Sequence, residues 1–373
     1  MTPRSGPTAK AICAAAATAL FWAMSFPAPA PGQGIAALLD EAASAEFPPL
    51  TGDWTLVLPQ DHGAHPEARA ETWTLAAHLE TAEGHPFHVS LALARYGLAP
   101  VQGDAEPDPW AMTALFAGQL LLFHGSDGTR HAEQRVSRGA GTAGHDADTR
   151  EVWIDDWTLA YGQGETGDGL RVRGAGQQVS VDLALRPVKP PLVADGEAAA
   201  PTRGFTLSRL SATGTIETPA GAVEVAGTAW LDRLWGDVPP PGGPIAYNRL
   251  ALHLTDGIDL SIVETRRAGR EGAGTYDGVL VDETGRASYL GDGALTVEVV
   301  EQWQTAAGVS YPVSWRVRGT SFDLVARAAT EDGLQEFPAP AWQGPVTVDG
   351  ESRGEAVRGA GLLLLSGYEG EQP

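Results

Sequence analysis

Apolar and polar residues alternate with a period of two along much of the chain. Trp73, Leu75, Ala77 and Leu79 alternate with Thr72, Thr74, Ala76 and His78, so a strand through them buries one face and shows the other to solvent or a polar lumen. Phe87, Val89, Leu91 and Leu93 repeat the pattern, as do Val179, Val181, Leu183 and Leu185. Val223 and Val225, then Leu250, Leu252 and Leu254, then Ile258, Leu260 and Ile262 follow. Asp256-Gly257, the run from Asp282 to Gly285, and Gly291-Asp292-Gly293 separate successive runs and read as hairpin turns. Strands recurring about every ten residues predict an all-β fold, a sandwich or an antiparallel barrel, and periodicity alone leaves that choice open.

Helix candidates are few. Ile35 to Ala45 is rich in Ala and Leu, and Asp108-Pro109-Trp110 could open a short helix towards Phe116. The sharpest change in composition is Arg186 to Arg203, where four prolines accompany an alanine run. Proline withdraws donors from a ladder, so 187–203 is the expected linker between a first unit at 51–186 and a second at 204–373, with 31–50 as an amino-terminal segment. No internal repeat is visible.

Residues 1–30 have the form of an export signal. Arg4 and Lys10 precede the apolar run Ala11 to Phe26, and Ala28-Pro29-Ala30 offers a cleavage site. The run is short for a bilayer span of ~20 residues, so no transmembrane anchor is expected after cleavage and any membrane contact would be transient. An exported, periplasmic or secreted protein is expected. Its one cysteine, Cys13, falls inside the signal, leaving the mature chain with neither thiol nor disulfide. Formal charge is -22, with the acids dispersed, which argues against a nucleic-acid partner and for a solvated surface.

Two blocks carry the candidate chemistry. The first runs from Asp61-His62-Gly63-Ala64-His65-Pro66 to Glu71-Thr72-Trp73. The second runs from Gly227 through Trp230, Asp232 and Trp235 to Gly236. Tyr311-Pro312-Val313-Ser314-Trp315, Gln335-Glu336, and Trp342-Gln343-Gly344-Pro345-Val346 through Gly367-Tyr368 follow in order. Together they resemble the AttH-type, secreted branch of the carotenoid 1,2-hydratase (hydroxyneurosporene synthase) family, over roughly Phe47 to Tyr368. Gly52-Asp53-Trp54 is similar to a lipocalin signature. The resemblance implies two lipocalin-like antiparallel β-barrels packed together, a cavity for a long apolar, isoprenoid or lipid-like ligand, and possible association with ABC-type transporter components. Three positions depart from the pattern: Thr72 replaces an aromatic, Leu234 a polar or acidic residue, and Arg249 a tryptophan.

Hydrating an isolated alkene takes a strong acid, an environment that tolerates a tertiary carbocation, and a placed water. Asp61, His62, His65, Glu71 and Asp232 are the catalytic candidates, and Trp73, Trp230, Trp235 and Tyr247 are the ligand-binding aromatics. The competing reading makes the histidines and Asp61 loop fasteners, pairs Glu71 with Arg69 or another basic residue, and makes the tryptophans core filler. His62, His65 and Glu71 could also supply three zinc ligands, but Gly63 and Pro66 break the helix that such spacing requires. No metal or cofactor is expected. No G-x-S-x-G elbow is present for a serine hydrolase. His78, His88 and His253 stay outside the candidate site. Three readings remain open: a hydratase-like hydro-lyase, a non-catalytic envelope binding or scaffold protein serving an ABC exporter, and a metal-dependent hydrolase.

Overall fold

The structure, a computed structural model, describes residues 46–100, 113–163, 167–195, 202–236, 245–267, 274–291, 293–330, 332–335 and 341–368. Two antiparallel sheets account for nearly all of them, and no α-helix occurs among the described residues. None of the described residues forms a helix long and apolar enough to cross a membrane. The export segment and the Ile35 to Ala45 helix candidate lie outside these residues. The helix expected towards Phe116 is corrected where it can be seen, because Phe116 is in a strand whose neighbours pair with the preceding hairpin.

The first sheet begins with four strands joined as hairpins: β1 (Ala70–Glu80), β2 (Pro86–Gly97), β3 (Ala114–His124) and β4 (Thr129–Ser137). It continues through β5 (Ala143–Asp146), β6 (Glu151–Ile154), β7 (Trp157–Gln163), β8 (Gly169–Ala175) and β9 (Ser180–Pro187). It closes with β10 (Leu192–Asp195) and the long β11 (Thr202–Thr218) and β12 (Gly221–Gly236). The second sheet repeats the plan with β13 (Ile245–Leu254), β14 (Asp259–Arg267), β15 (Thr275–Val281) and β16 (Ala287–Leu290). Then come β17 (Leu295–Gln304), β18 (Ser310–Gly319), β19 (Phe322–Ala328), β20 (Leu334–Gln335), β21 (Ala341–Ser352) and β22 (Glu355–Ser366).

In each sheet the first strand pairs with the last, β1 with β12 and β13 with β22, while the free edges fall after the fourth strand. Both sheets therefore curl, and β6 packs across β2, β3 and β4. This shared plan is a structural repeat that the residues themselves do not display. It also corrects the expected boundary. Residues 202–236 complete the first sheet, so the division falls between Gly236 and Ile245, and the proline-rich stretch is a crossover within the first unit whose β10 still pairs with β11. Gly52-Asp53-Trp54 and Trp235-Gly236 thus both belong to the first unit, where Trp54 meets Trp235 edge-on at 5.2 Å.

The alternation has the expected cause. Inward residues of β1 and β2 join Trp157, Phe205 and Trp235 in one buried cluster, and Leu250, Leu252, Leu254, Leu260 and Ile262 join Trp315 and Trp342 in another. At the turns Gly257 and Gly285 take φ near 85°, which side-chain-bearing residues rarely adopt. The curled interiors are thus filled with side chains, and the outward faces of β1, β2 and β12 pack against those of β13, β21 and β22.

That contact between the sheets is polar. A bulge between Leu207 and Leu210 turns Ser208 and Arg209 towards the second sheet. There the fully buried Asp259 accepts from Ser208 Oγ at 3.0 Å and pairs with Lys189 Nζ at 2.8 Å and Arg209 Nη2 at 2.6 Å. His253 Nε2 donates to the Ser208 carbonyl at 2.7 Å, which leaves Nδ1 to accept from Thr228 Oγ1 at 2.8 Å. His78 and His88 share a 2.7 Å hydrogen bond, and the His78 ring lies 5.7 Å from that of His253.

Burial holds His88 and His253 down to about 4, and burial with two neighbouring imidazoles holds His78 well below its ordinary value. Unfolded histidines bind protons near 6.5 that these three refuse when folded. Their contribution is complete above about pH 6.5 and is lost as pH falls towards 4, by roughly 3 kcal/mol each for His88 and His253, with His78 acting in the same direction. Urea unfolding at pH 7 and pH 4.5 is expected to show this loss, and the double substitution His88→Gln, His253→Gln to flatten it; an equally steep fall in the variant would assign the loss to other groups.

Candidate functional site

Strand β12 builds two sites, because successive side chains leave opposite faces of the pleat. Its register sets Glu71 opposite Trp235, Trp73 opposite Arg233 and Thr74 opposite Asp232. Arg233 and Trp235 therefore point into the first curled sheet, whereas Trp230 and Asp232 point towards the second.

The inward group is a buried plug. A short 3-10 turn, Gln60–His62, leads into β1 and folds over the end of the core. Glu71 accepts from Arg233 Nη2 at 2.6 Å and from the His65 amide at 2.8 Å, and it forms a close ion pair with Arg95. Arg95 also donates to the Ala68 carbonyl at 2.7 Å, and Arg233 to the Gly63 carbonyl at 2.6 Å, so the two guanidiniums staple the loop to the strands. Arg233 lies 4.0 Å over Trp73, while His65 stacks on Trp235 at 3.9 Å. His65 places Nε2 3.1 Å from Asp61 Oδ1 and Nδ1 3.1 Å from Arg233 Nη2. Asp61 Oδ2 in turn accepts from the Val57 amide at 2.6 Å.

These partners leave the plug no free acid. Burial would raise the Glu71 carboxyl, but Arg95 and Arg233 outweigh it and hold it at about 2. Burial acts likewise on Asp61, and hydrogen bonds from His65 and Val57 leave it lowered. His62 stacks on Tyr161 at 3.8 Å, and burial with the nearby Arg233 lowers it to about 3. The zinc reading finds no support here: both nitrogens of His65 and both oxygens of Glu71 face other partners. Among the described residues no group of three or more His, Cys, Asp or Glu is placed to share an ion.

The outward group lines a cleft between the two sheets, walled by Thr74, Ser90, Trp230, Asp232, Arg249 and Gln343 together with Ala76, Ala251, Leu362 and Leu364. Its enclosed room is about 30 Å³, within about 500 Å³ of empty space once the open mouth is counted. Asp232 Oδ1 accepts from Thr206 Oγ1 at 2.6 Å and Trp230 Nε1 at 3.1 Å, and Oδ2 from Arg249 Nη1 at 2.7 Å. A carboxylate has about four lone-pair positions, so one on Oδ2 is left for a solute or water. Arg249 lies 5.3 Å over the Trp230 ring. A chain of amides crosses the interface beside it: Gln119 donates to Gln335, Gln335 to Gln343 at 3.2 Å, and Gln343 to Ser90 Oγ at 3.0 Å.

The candidates of the sequence thus separate. Asp61, His62, His65, Glu71, Trp73 and Trp235 meet in the plug, and Asp232 and Trp230 meet in the cleft. Tyr247 shares the outward face of β13 with Arg249 but is not among the lining residues; its backbone bonds to Ser366. Arg95, Arg233, Ser90 and Gln343 carried no expectation. The arginines had a visible signal, since each is a charge in line with an apolar face: Arg95 after Leu91 and Leu93, Arg233 between Leu231 and Trp235.

A family model described as AttH-like matches residues 49–368. Among solved structures, an AttH from Nitrosomonas europaea superposes with a TM-score of 0.72 at 23% identity, covering 86% of this chain and 100% of that one. Kievitone hydratase from Nectria haematococca superposes at 0.63 with 16% identity, covering 87% and 97% of the two chains. CghA in complex with Sch210972 superposes at 0.50 with 16% identity, covering 80% and 89%. At these identities the likeness is one of fold: two lipocalin-like curled sheets. No curated protein matches the chain.

Substituting Glu71→Gln leaves Arg95 and Arg233 buried with their shared counter-charge removed, at an expected cost of about 3–5 kcal/mol in chemical denaturation. The native Glu71 contribution is present above about pH 4.5 and is lost as pH falls towards about 2, and the variant should lack that acid limb. A variant as stable as the parent would show that the plug does not fasten the fold.

Proposed function

From the premise that the chain belongs to the AttH-like family, we propose that it is a hydratase-like hydro-lyase that adds water to a carbon–carbon double bond of an apolar, isoprenoid or lipid-like ligand, in the cleft between its sheets. The observation that carries this reading is Asp232: a carboxylate oriented by three donors, with one acceptor position unspent, beside an aromatic wall. A water donating to Oδ2 would be held against the ligand, and Asp232 would take its proton as the new carbon–oxygen bond forms. Thr206 and the Trp230 indole fix the carboxylate, while Ala76, Ala251, Leu362 and Leu364 offer the apolar wall. The fold shared with kievitone hydratase, a hydratase by name, supports the same reaction class.

A second reading is favoured by one observation. The enclosed room of about 30 Å³ is far below the ~300–1,000 Å³ usual for ligand pockets. A non-catalytic envelope protein serving an ABC-type exporter would need no larger space. Both readings take the chain as exported, on the strength of its first thirty residues, and the mature protein is then expected to begin after Ala30, as intact mass of protein from the cell envelope would show. A mature chain retaining Cys13 would remove the export reading.

Incubating the full mature chain with acyclic isoprenoids and reading mass gain separates the two functions. Addition of one water, slowed about 10²- to 10⁴-fold by Asp232→Asn in protein shown by melting to remain folded at the assay temperature, is expected for the hydratase. Turnover that survives the substitution would move the chemistry out of this cleft, and no turnover together with recovery of transporter components from envelope extracts would leave the scaffold reading.

A further inference from the structure

The unspent hydrogen-bonding capacity of the cleft is not all on Asp232. Arg249 is only 9% exposed. Its Nη1 is committed to Asp232 and its Nε makes a long 3.4 Å contact with Ser261 Oγ, but Nη2 is buried without an acceptor while the residue lines the cleft. A buried donor left dry is a standing penalty that a ligand oxygen can relieve. We infer that the cleft selects a ligand bearing a neutral carbonyl oxygen conjugated to the double bond that is hydrated, and that Arg249 Nη2 is the donor that receives this oxygen. The inference deepens the hydratase reading and depends on it for the reaction, though not for the binding preference.

Three ligand chemistries compete for Nη2. A hydrocarbon leaves it dry. A carboxylate would satisfy it but would lie beside Asp232, whose Oδ2 is already on the adjoining nitrogen of the same guanidinium, and like charges so close oppose one another. A neutral carbonyl fills the position without adding a second anion.

The same arginine bears on the route. A tertiary carbocation forming beside Trp230 would find the face of the indole already covered by a guanidinium at 5.3 Å, so the ring is engaged and that guanidinium repels the cation. With a conjugated carbonyl no cation is needed. The water oxygen bonds to the carbon β to the carbonyl as its proton passes to Asp232 Oδ2. The π electrons of the double bond shift so that negative charge rests on the carbonyl oxygen at Nη2, where a fixed donor stabilises it. Asp232 then returns its proton to the α carbon. One water has been added, and nothing is oxidised or reduced. The enclosed room accepts the water and the carbonyl end, and the remainder of the ligand lies in the open mouth along Ala76, Ala251 and the two leucines.

Three ten-carbon terpenoids test this with the full mature chain: citral, a conjugated aldehyde; citronellal, an aldehyde with an isolated double bond; and myrcene, a hydrocarbon. Calorimetric titration is expected to show both aldehydes bound at least about tenfold tighter than myrcene. That preference should vanish in the double substitution Asp232→Asn, Arg249→Met, which removes both charges together so that neither is stranded, with folding checked by melting. Arg249→Lys, which keeps a donor cation, should retain part of it. On incubation, magnetic resonance should place the new hydroxyl of citral on the carbon β to the aldehyde, while citronellal is recovered unchanged. Equal affinity for myrcene, a preference that survives the double substitution, absence of binding by all three, or water entering the isolated bond of citronellal would each overturn the inference. Selective binding of the aldehydes with no hydration of citral would instead leave Arg249 its ligand and remove the hydratase reading.

Discussion

Two neighbouring side chains on one strand, Asp232 and Arg233, must point in opposite directions, and most of what is distinctive in this molecule follows from that requirement. The pleat alternates side chains across the sheet, and a slip of one residue between β1 and β12 would exchange every inward group for an outward one. The register is pinned where such a slip would be most costly. Glu71 on β1 is paired with Arg233 on β12 and with Arg95 on β2, so three adjacent strands are fixed by one carboxylate. The plug thus sets where Asp232 and Trp230 emerge on the far face. Its histidines, acids and tryptophans serve the cleft by holding the strand that forms one wall.

The second sheet meets that wall through polar groups as well as the apolar side chains Ala251, Leu362 and Leu364. Asp259 gathers Lys189 and Arg209, the His78, His88 and His253 imidazoles interlock, and four side chains from Gln119 to Ser90 bridge the two units. Buried polar contacts of this kind contribute little net stability, yet they tolerate only one docking geometry because a misplaced partner leaves a charge or donor unsatisfied. Directional contacts also pack less completely than methyl groups, and the cleft opens within this interface. The cleft lies between the outer faces of the sheets, whereas the interiors, where a barrel cavity was expected, are occupied by Trp157, Phe205, Trp315 and Trp342.

The fold class was legible because Leu75, Leu91, Leu183, Leu252 and Leu260 sit on alternating faces that only strands can bury. The boundary between the units was not, since Pro187, Pro190 and Pro191 mark a crossover as readily as a linker, and only the pairing of β12 with β1 distinguishes them. For the site, spacing along the chain singled out Asp61, His65 and Glu71 by residue type, but type does not reveal whether a carboxylate is already spent. Glu71 is committed to two arginines that lie 24 and 162 residues away in sequence. Arg249 stood out only as a departure from a pattern, and its free nitrogen is a fact of packing.

The chemistry assigned to the cleft follows from where protons can be found. Alkene protonation needs a group that is acidic and protonated at neutral pH, and the buried candidates are neither. His62 stays neutral down to about 3, His88 and His253 down to about 4, and Glu71 stays ionised to about 2. The partners of Asp232 are all donors, so what it offers the cleft is an acceptor position for a hydrogen of water. Water must then attack first, and attack first is feasible only if the electrons it displaces have somewhere to go. Two buried donors on the cleft wall lack a partner among the described residues, the Thr74 hydroxyl and Arg249 Nη2, and of these the guanidinium nitrogen carries the positive charge that would receive such electrons. In the proposed reaction the carboxylate and the guanidinium would therefore divide the work, the first activating the water and the second receiving the charge that its attack creates.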